Sequence, residues 1–156
     1  MRIMSETFED GGEFPLLYTR DGDGMSPPLS WSGLPSGTRE LALMFENITP
    51  GTQEPFVQWL LYKIPPEPER LPEGLRHKRD PEEPAAALHG LNDIGNVRYD
   101  GPLGTVGRTH RYRFRLFALD RPLDVQAGLD KGALEEAIAR HTLDHADLVV
   151  SYERPR

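Results

Sequence analysis

There is no cysteine in this chain of 156 residues, which excludes disulfides, thiol nucleophiles and thiolate metal sites. No apolar run reaches transmembrane length, and the opening MRIMSETFEDGGEF holds no apolar signal-peptide core. Integral membrane association is therefore not expected, and a cytoplasmic location is. Positive charge is in short supply too. The net charge is −7, which argues against nonspecific binding to nucleic acid or anionic membranes, since both require a basic surface. Lysine is confined to Lys63, Lys78 and Lys131, and Asn and Gln are scarce. With 15 prolines, this profile fits either a heat-adapted source or a GC-rich genome.

Several signatures of chemistry are also missing. No G-x-S-x-G elbow is present, so a serine hydrolase of that type has no nucleophile. The loop GPLGTVGRTH falls short of a P-loop. Five residues rather than four separate Gly101 from Gly107, Arg108 stands where Lys belongs, and a strand follows instead of a helix. Asp21-Gly22-Asp23 begins like a calcium loop, but Met25, Ser26 and Ser32 occupy positions that need a ligand, a glycine and a glutamate. His141 and His145 are spaced i, i+4 near Asp144 and Asp147, yet the Glu of H-E-x-x-H is absent. Capping and solvent exposure are the expected roles there, and no metal or cofactor is expected.

What is present is strand. In 110–116 His110, Tyr112, Phe114 and Leu116 alternate with Arg111, Arg113 and Arg115, the period of a half-buried strand with its arginines in solvent. Upstream, Gly95, Gly101, Pro102, Gly104 and Gly107 force repeated turns. His110 and Tyr112 thus point together at the junction of a Gly-rich loop and a sheet. ELALMFE (40–46) reads as a strand buried on both faces. In 56–64, FVQWLLYKI, alternation puts Phe56, Gln58, Leu60 and Tyr62 on one face, with Gln58 the polar exception. FPLLYT (14–19) and LVVSY (148–152) are further strand candidates. Residues 21–35 form an ordered loop anchored by Leu29 and Trp31. Residues 65–84, with six prolines, form a surface excursion whose charged KRDPEE run is least constrained. Asp130 can cap a helix to about His141, with Leu134, Ala137 and Ile138 on its apolar face. Short strands with Gly/Pro turns and a late helix predict one domain over 1–156, an antiparallel β-sandwich with one or two peripheral helices.

Gly101-Pro102, Gly107 and His110-Arg111-Tyr112 resemble the GP…G…HRY signature of the phosphatidylethanolamine-binding protein family, in its bacterial and archaeal, Raf-kinase-inhibitor-like branch. SPPLSW (26–31) and the tail RHTLDHADLVVSYER (140–154) carry the resemblance further, so that it covers about 21–153. It implies the same sandwich with a small anion-binding pocket at one end. By motif position, Glu46 falls on the family's Asp, Gln58 on its first His, and His110 and Tyr112 on its last His and Tyr. ENITP departs from D-P-D-A-P, and Leu103 replaces a Pro. Gln58 cannot carry charge, and Glu46 brings its carboxylate a methylene further out.

The expected site is therefore Glu46, Gln58, Gly101, Pro102, His110 and Tyr112 in one shallow cavity, with His110 the main anchor. A carboxylate beside His110 would raise its pKa from about 6.5, and burial would lower it. Bound anions are expected to bind better as pH falls. The resemblance implies a noncatalytic protein for a small anionic or phospholipid-headgroup ligand, and admits kinase-inhibitor-like regulation through a protein partner, as well as a homodimer. The alternative is a hydrolase-like enzyme using Glu46 and His110 as an acid/base pair.

Overall fold

The protein is described here by a computed structural model covering residues 1–51, 55–75 and 86–156. Two antiparallel sheets pack face to face. The larger has the order β6-β4-β3-β7-β8, built from β3 (Glu40–Asn47), β4 (Phe56–Ile64), β6 (Leu88–His89), β7 (His110–Leu119) and β8 (Thr142–Tyr152). The smaller, β1-β2-β5, consists of β1 (Arg2–Met4), β2 (Leu29–Ser32) and β5 (Arg70–Leu71).

The central strand β3 shows why its sequence is nearly continuous in apolar residues. Leu41, Leu43 and Phe45 face the small sheet, where Ile3, Leu29, Trp31 and Leu71 complete one core. Ala42 and Met44 face the other way, into a second core closed by Leu134 and Ile138 of the helix α1 (Lys131–Ile138). A strand covered on both faces has no solvent side to be polar on. The helix begins as its sequence predicts, with Asp130 Oδ1 accepting from Ala133 N at 2.8 Å.

Several expectations change. Residues 14–19 are not a strand. Pro15 fixes its φ at −61°, and a short 3-10 turn (Leu16–Tyr18) follows, closed by Thr19 N donating to Leu16 O at 3.0 Å. Within 21–35, Leu29 and Trp31 are buried as expected, but on strand β2. The 65–84 excursion contributes β5 to the small sheet, and Trp31 Nε1 donates to Pro66 O at 3.1 Å. Its second part, 76–84, including the KRDPEE run, lies outside the described residues. The last strand starts at Thr142 instead of Leu148, held by its pairing with β7, although 142–147 are mostly exposed and show no apolar alternation. His141 and His145 are therefore not on one helical face: His141 Nδ1 meets Asp120 Oδ1 at 3.1 Å, and His145 lies on β8 with its ring edge-on to Phe117.

In β4 the alternation breaks. Phe45 pairs with Trp59 and Glu46 with Val57, leaving Gln58 as the extra residue of a β-bulge. The bulge redirects Gln58 from the face it would otherwise share with Leu60 and Tyr62.

Candidate ligand-binding site

His110 opens β7, opposite Tyr152 of β8. Its Nδ1 lies 3.2 Å from Asn47 Nδ2 and 3.2 Å from Thr49 Oγ1, and its Nε2 lies 3.1 Å from Thr105 Oγ1. Asn47 Oδ1 accepts from the Thr49 amide at 2.9 Å, so the amide nitrogen of Asn47 must face the ring. Nδ1 is then the acceptor, and Nε2–H donates to Thr105. Burial and, secondarily, the Arg108 charge hold the ring's pKa below its ordinary 6.5. No carboxylate among the described residues raises it. At neutral pH His110 is an uncharged ring with both nitrogens engaged.

Two residues on, Tyr112 lies in the core at 1% exposure, its ring 5.9 Å from that of Phe45. Burial first, and Tyr152 second, push its phenol up to about 12, against a lowering by Arg20. Its hydroxyl makes no hydrogen bond among the described residues and is not sealed from solvent.

Beside it runs the Gly-Pro segment, whose approach to the rest of the fold is unusually close. A Cβ on Gly101 would stand 2.2 Å from Tyr18 O, so the backbones of 101 and 18–19 touch only because residue 101 is glycine. Arg20 N donates to Pro102 O at 2.9 Å, Arg20 Nε to Gly101 O at 3.0 Å, and Tyr99 Oη to Tyr18 O at 2.7 Å. Gln58 locks the other side, its Nε2 donating to Asp100 O at 2.7 Å and Gly101 O at 3.1 Å. The nearly buried Asp100 carboxylate is held by Asn92 Nδ2 (2.8 Å), Asn96 Nδ2 (2.8 Å) and Arg98 Nε (3.1 Å). At the end of β8, the Tyr152 hydroxyl donates to Asp21, which also pairs with Arg154 Nε at 2.9 Å. A cleft of about 560 Å³ borders the site through Thr109 and Tyr152.

Glu46 lies elsewhere. Phe45 faces the inter-sheet core, so its neighbour on the strand faces α1. The Glu46 side chain is fully buried there, bonded to Lys131 Nζ, Arg115 Nη2 (3.1 Å) and Arg113 Nη2 (3.4 Å). Burial alone would raise its pKa; the Lys131 and Arg115 contacts outweigh that and lower it. The Nε groups of Arg113 and Arg115 are buried without hydrogen bonds among the described residues. On the arginine face of β7, Arg111 is exposed as expected, whereas Arg113 and Arg115 are only about a quarter exposed.

A model of the phosphatidylethanolamine-binding protein family matches residues 4–153. The chain belongs to that family. It is 36% identical over 154 residues to a UPF0098 protein of Methanothermobacter thermautotrophicus, covering 99% of both chains. A UPF0098 protein of Chlamydia muridarum is 33% identical over 158 residues, again with 99% of each chain covered. The crystal structure of a Chlamydia trachomatis homologue, described as a putative phosphatidylethanolamine-binding protein, superposes with a TM-score of 0.86 at 32% identity, over 99% of this chain and 97% of that one. An Escherichia coli structure described as a new member of the mammalian family shares the fold, with a TM-score of 0.88 at 23% identity, over 99% and 98% of the two chains.

Of the six residues singled out from the family pattern, the fold brings Gln58, Gly101 and Pro102 together, sets His110 and Tyr112 on the same side of the sheet, and leaves Glu46 on the other. Asn47 and Thr49, not Glu46, are the β3-end residues that touch His110. Arg20, Thr105, Asp21 and Tyr152 were not singled out. Asn47 was legible, since it shares the parity of Phe45. Arg20 was not, because its partner Gly101 is 81 residues away.

Proposed function

We propose that this protein is a noncatalytic small-ligand-binding member of the family, its site at the meeting of residues 101–102 with the start of β7. Gln58, Gly101, Pro102, His110 and Tyr112 line it, and the ligand presents an anionic, phosphate-type group. The observation that supports this most directly is the Tyr112 hydroxyl, a donor without a hydrogen-bond partner among the described residues on a side chain only 1% exposed, in a wall where the neighbouring polar side chains are hydrogen-bonded. With its pKa near 12 it stays protonated at any physiological pH, and so remains a donor. A hydrolase reading has less support. Glu46 and His110 lie on opposite faces of the sheet, and the His110 tautomer donates to Thr105 instead of drawing a proton from it. Kinase-inhibitor-like regulation through 65–84 rests on a segment whose second half is outside the described residues.

Titration calorimetry with phosphate and phosphoethanolamine tests the proposal. Saturable binding is expected for at least one of them. Tyr112→Phe should weaken it about tenfold or more, the worth of a hydrogen bond to a charged acceptor. No saturable heat with either compound, or unchanged affinity in Tyr112→Phe, would remove the proposal.

A further inference from the structure

We propose that the Arg20 guanidinium, not the His110 ring, is the cation that receives the ligand's anionic group. This rests on the site reading above and names the group that the motif comparison did not reach.

An oxyanion is held by free donors, and a charged donor bonds it about twice as strongly as a neutral one. His110 offers neither at neutral pH, since Asn47 and Thr105 take up its two nitrogens. Gln58 offers no donor either. Both partners of its Nε2 are carbonyl oxygens, so the amide cannot be turned round without setting oxygen against oxygen. Its Oε1 is the atom left over, an acceptor that would repel an anion.

Arg20 is different. Its main chain is pinned by N–H···O=C to Pro102 and its side chain by Nε–H to Gly101 O, so the stem is held at two points on the Gly-Pro segment itself. The residue is exposed, and its two Nη groups have no partner among the described residues. A guanidinium fixed through Nε presents its remaining N–H pairs as a fork, the geometry that takes two oxygens of a phosphate, sulfate or carboxylate. Through Gly101 O it shares an acceptor with Gln58, so it belongs to the same wall of the site.

The surrounding charges leave Arg20 uncompensated. Asp21, next in sequence, is taken by Arg154 and Tyr152. Asp100, across the segment, is taken by Asn92, Asn96 and Arg98. Gln58, where the family pattern has a histidine, adds no charge, so Arg20 supplies the cation that position lacks.

Sulfate is the probe, because its own charge is constant across the pH range used. The ionisable groups around Arg20 are Asp21, Asp100, Tyr112, Tyr152 and His110; calorimetric titrations at pH 5.5 and 7.5 bracket the ordinary histidine pKa, so an anchor that depends on protonating the His110 ring would strengthen between them. Wild type is expected to bind equally at both, within about twofold, and Arg20→Ala to bind about tenfold or more weakly. Arg20→Lys should recover part of the loss. Arg111→Ala, removing the same charge from the opposite face of the sheet, should change nothing. Arg20→Gln serves as a second variant should Arg20→Ala unfold, because its amide can still donate to Gly101 O. Undiminished sulfate affinity in folded Arg20→Ala or Arg20→Gln would overturn the assignment while leaving the site. So would binding that strengthens steeply at pH 5.5. Absence of sulfate binding by wild type at both pH values would overturn the site reading together with it.

Discussion

Glu46→Gln should destabilise the protein by about 3–5 kcal/mol, the cost of removing one partner from a buried ionic cluster. The substitution keeps the side-chain volume, so it isolates charge from packing. In wild type a single fully buried carboxylate meets Lys131, Arg113 and Arg115, each side chain about a quarter exposed. Without it, three cations are left crowded between the sheet and α1 with no counter-charge. The pH dependence follows. The native pKa of Glu46 is lowered below its unfolded value, so its contribution is present above that unfolded value and lost as pH falls through the native one. His110 acts in the same direction in a higher window. Its native pKa lies below 6.5, so the unfolded chain binds that proton more readily, and stability declines as pH drops through the region just below 6.5. Denaturant unfolding between neutral and acid pH should show wild-type stability falling and converging on that of Glu46→Gln. A difference under about 0.5 kcal/mol at neutral pH, ordinary for surface changes, would mean that the cluster contributes little.

Gly101→Ala should be nearly as damaging, and in the functional site itself. The new Cβ would sit 2.2 Å from the Tyr18 carbonyl oxygen and 3.0 Å from Thr19 Cα, both backbone atoms that cannot rotate away. One side of the contact must move, at a cost of about 1–3 kcal/mol for overpacking. The movement separates Gly101 O from Gln58 and Arg20 together, because both donate to that one oxygen. Anion affinity should therefore fall by about tenfold or more alongside stability, as two hydrogen bonds that fix the site are lost. Denaturation and calorimetry on the same sample check both. Full stability with full affinity would mean the backbone approach at 101 is not what shapes the site.

How much of this was legible in the sequence depends on element length. β3, β4 and β7, of eight to ten residues, carry enough period to be read, and their apolar content reported burial correctly. β1, β5 and β6 have two or three residues, too few for any period, and are made by pairing alone. The first half of β8 is mostly exposed and shows no apolar alternation, and hid for that reason. At the site, alternation put His110 and Tyr112 together, and the family pattern pointed to Gly101. Glu46 shows where motif position and physics part. The alternation of Leu41, Leu43 and Phe45 with Ala42, Met44 and Glu46 already assigns it to the face of the arginines. The bulge at Gln58 left no mark in FVQWLLYKI, since an extra residue in a strand is visible only against its partner.

The most direct test of the ligand site is chemical-shift mapping of the ¹⁵N-labelled protein titrated with phosphate. Saturable shifts are expected at the amides of Arg20, Gly101, Leu103 and Tyr112, with those of Glu46 and Lys131 unmoved. Shifts confined to the Glu46 face, or none at any phosphate concentration, would contradict the account.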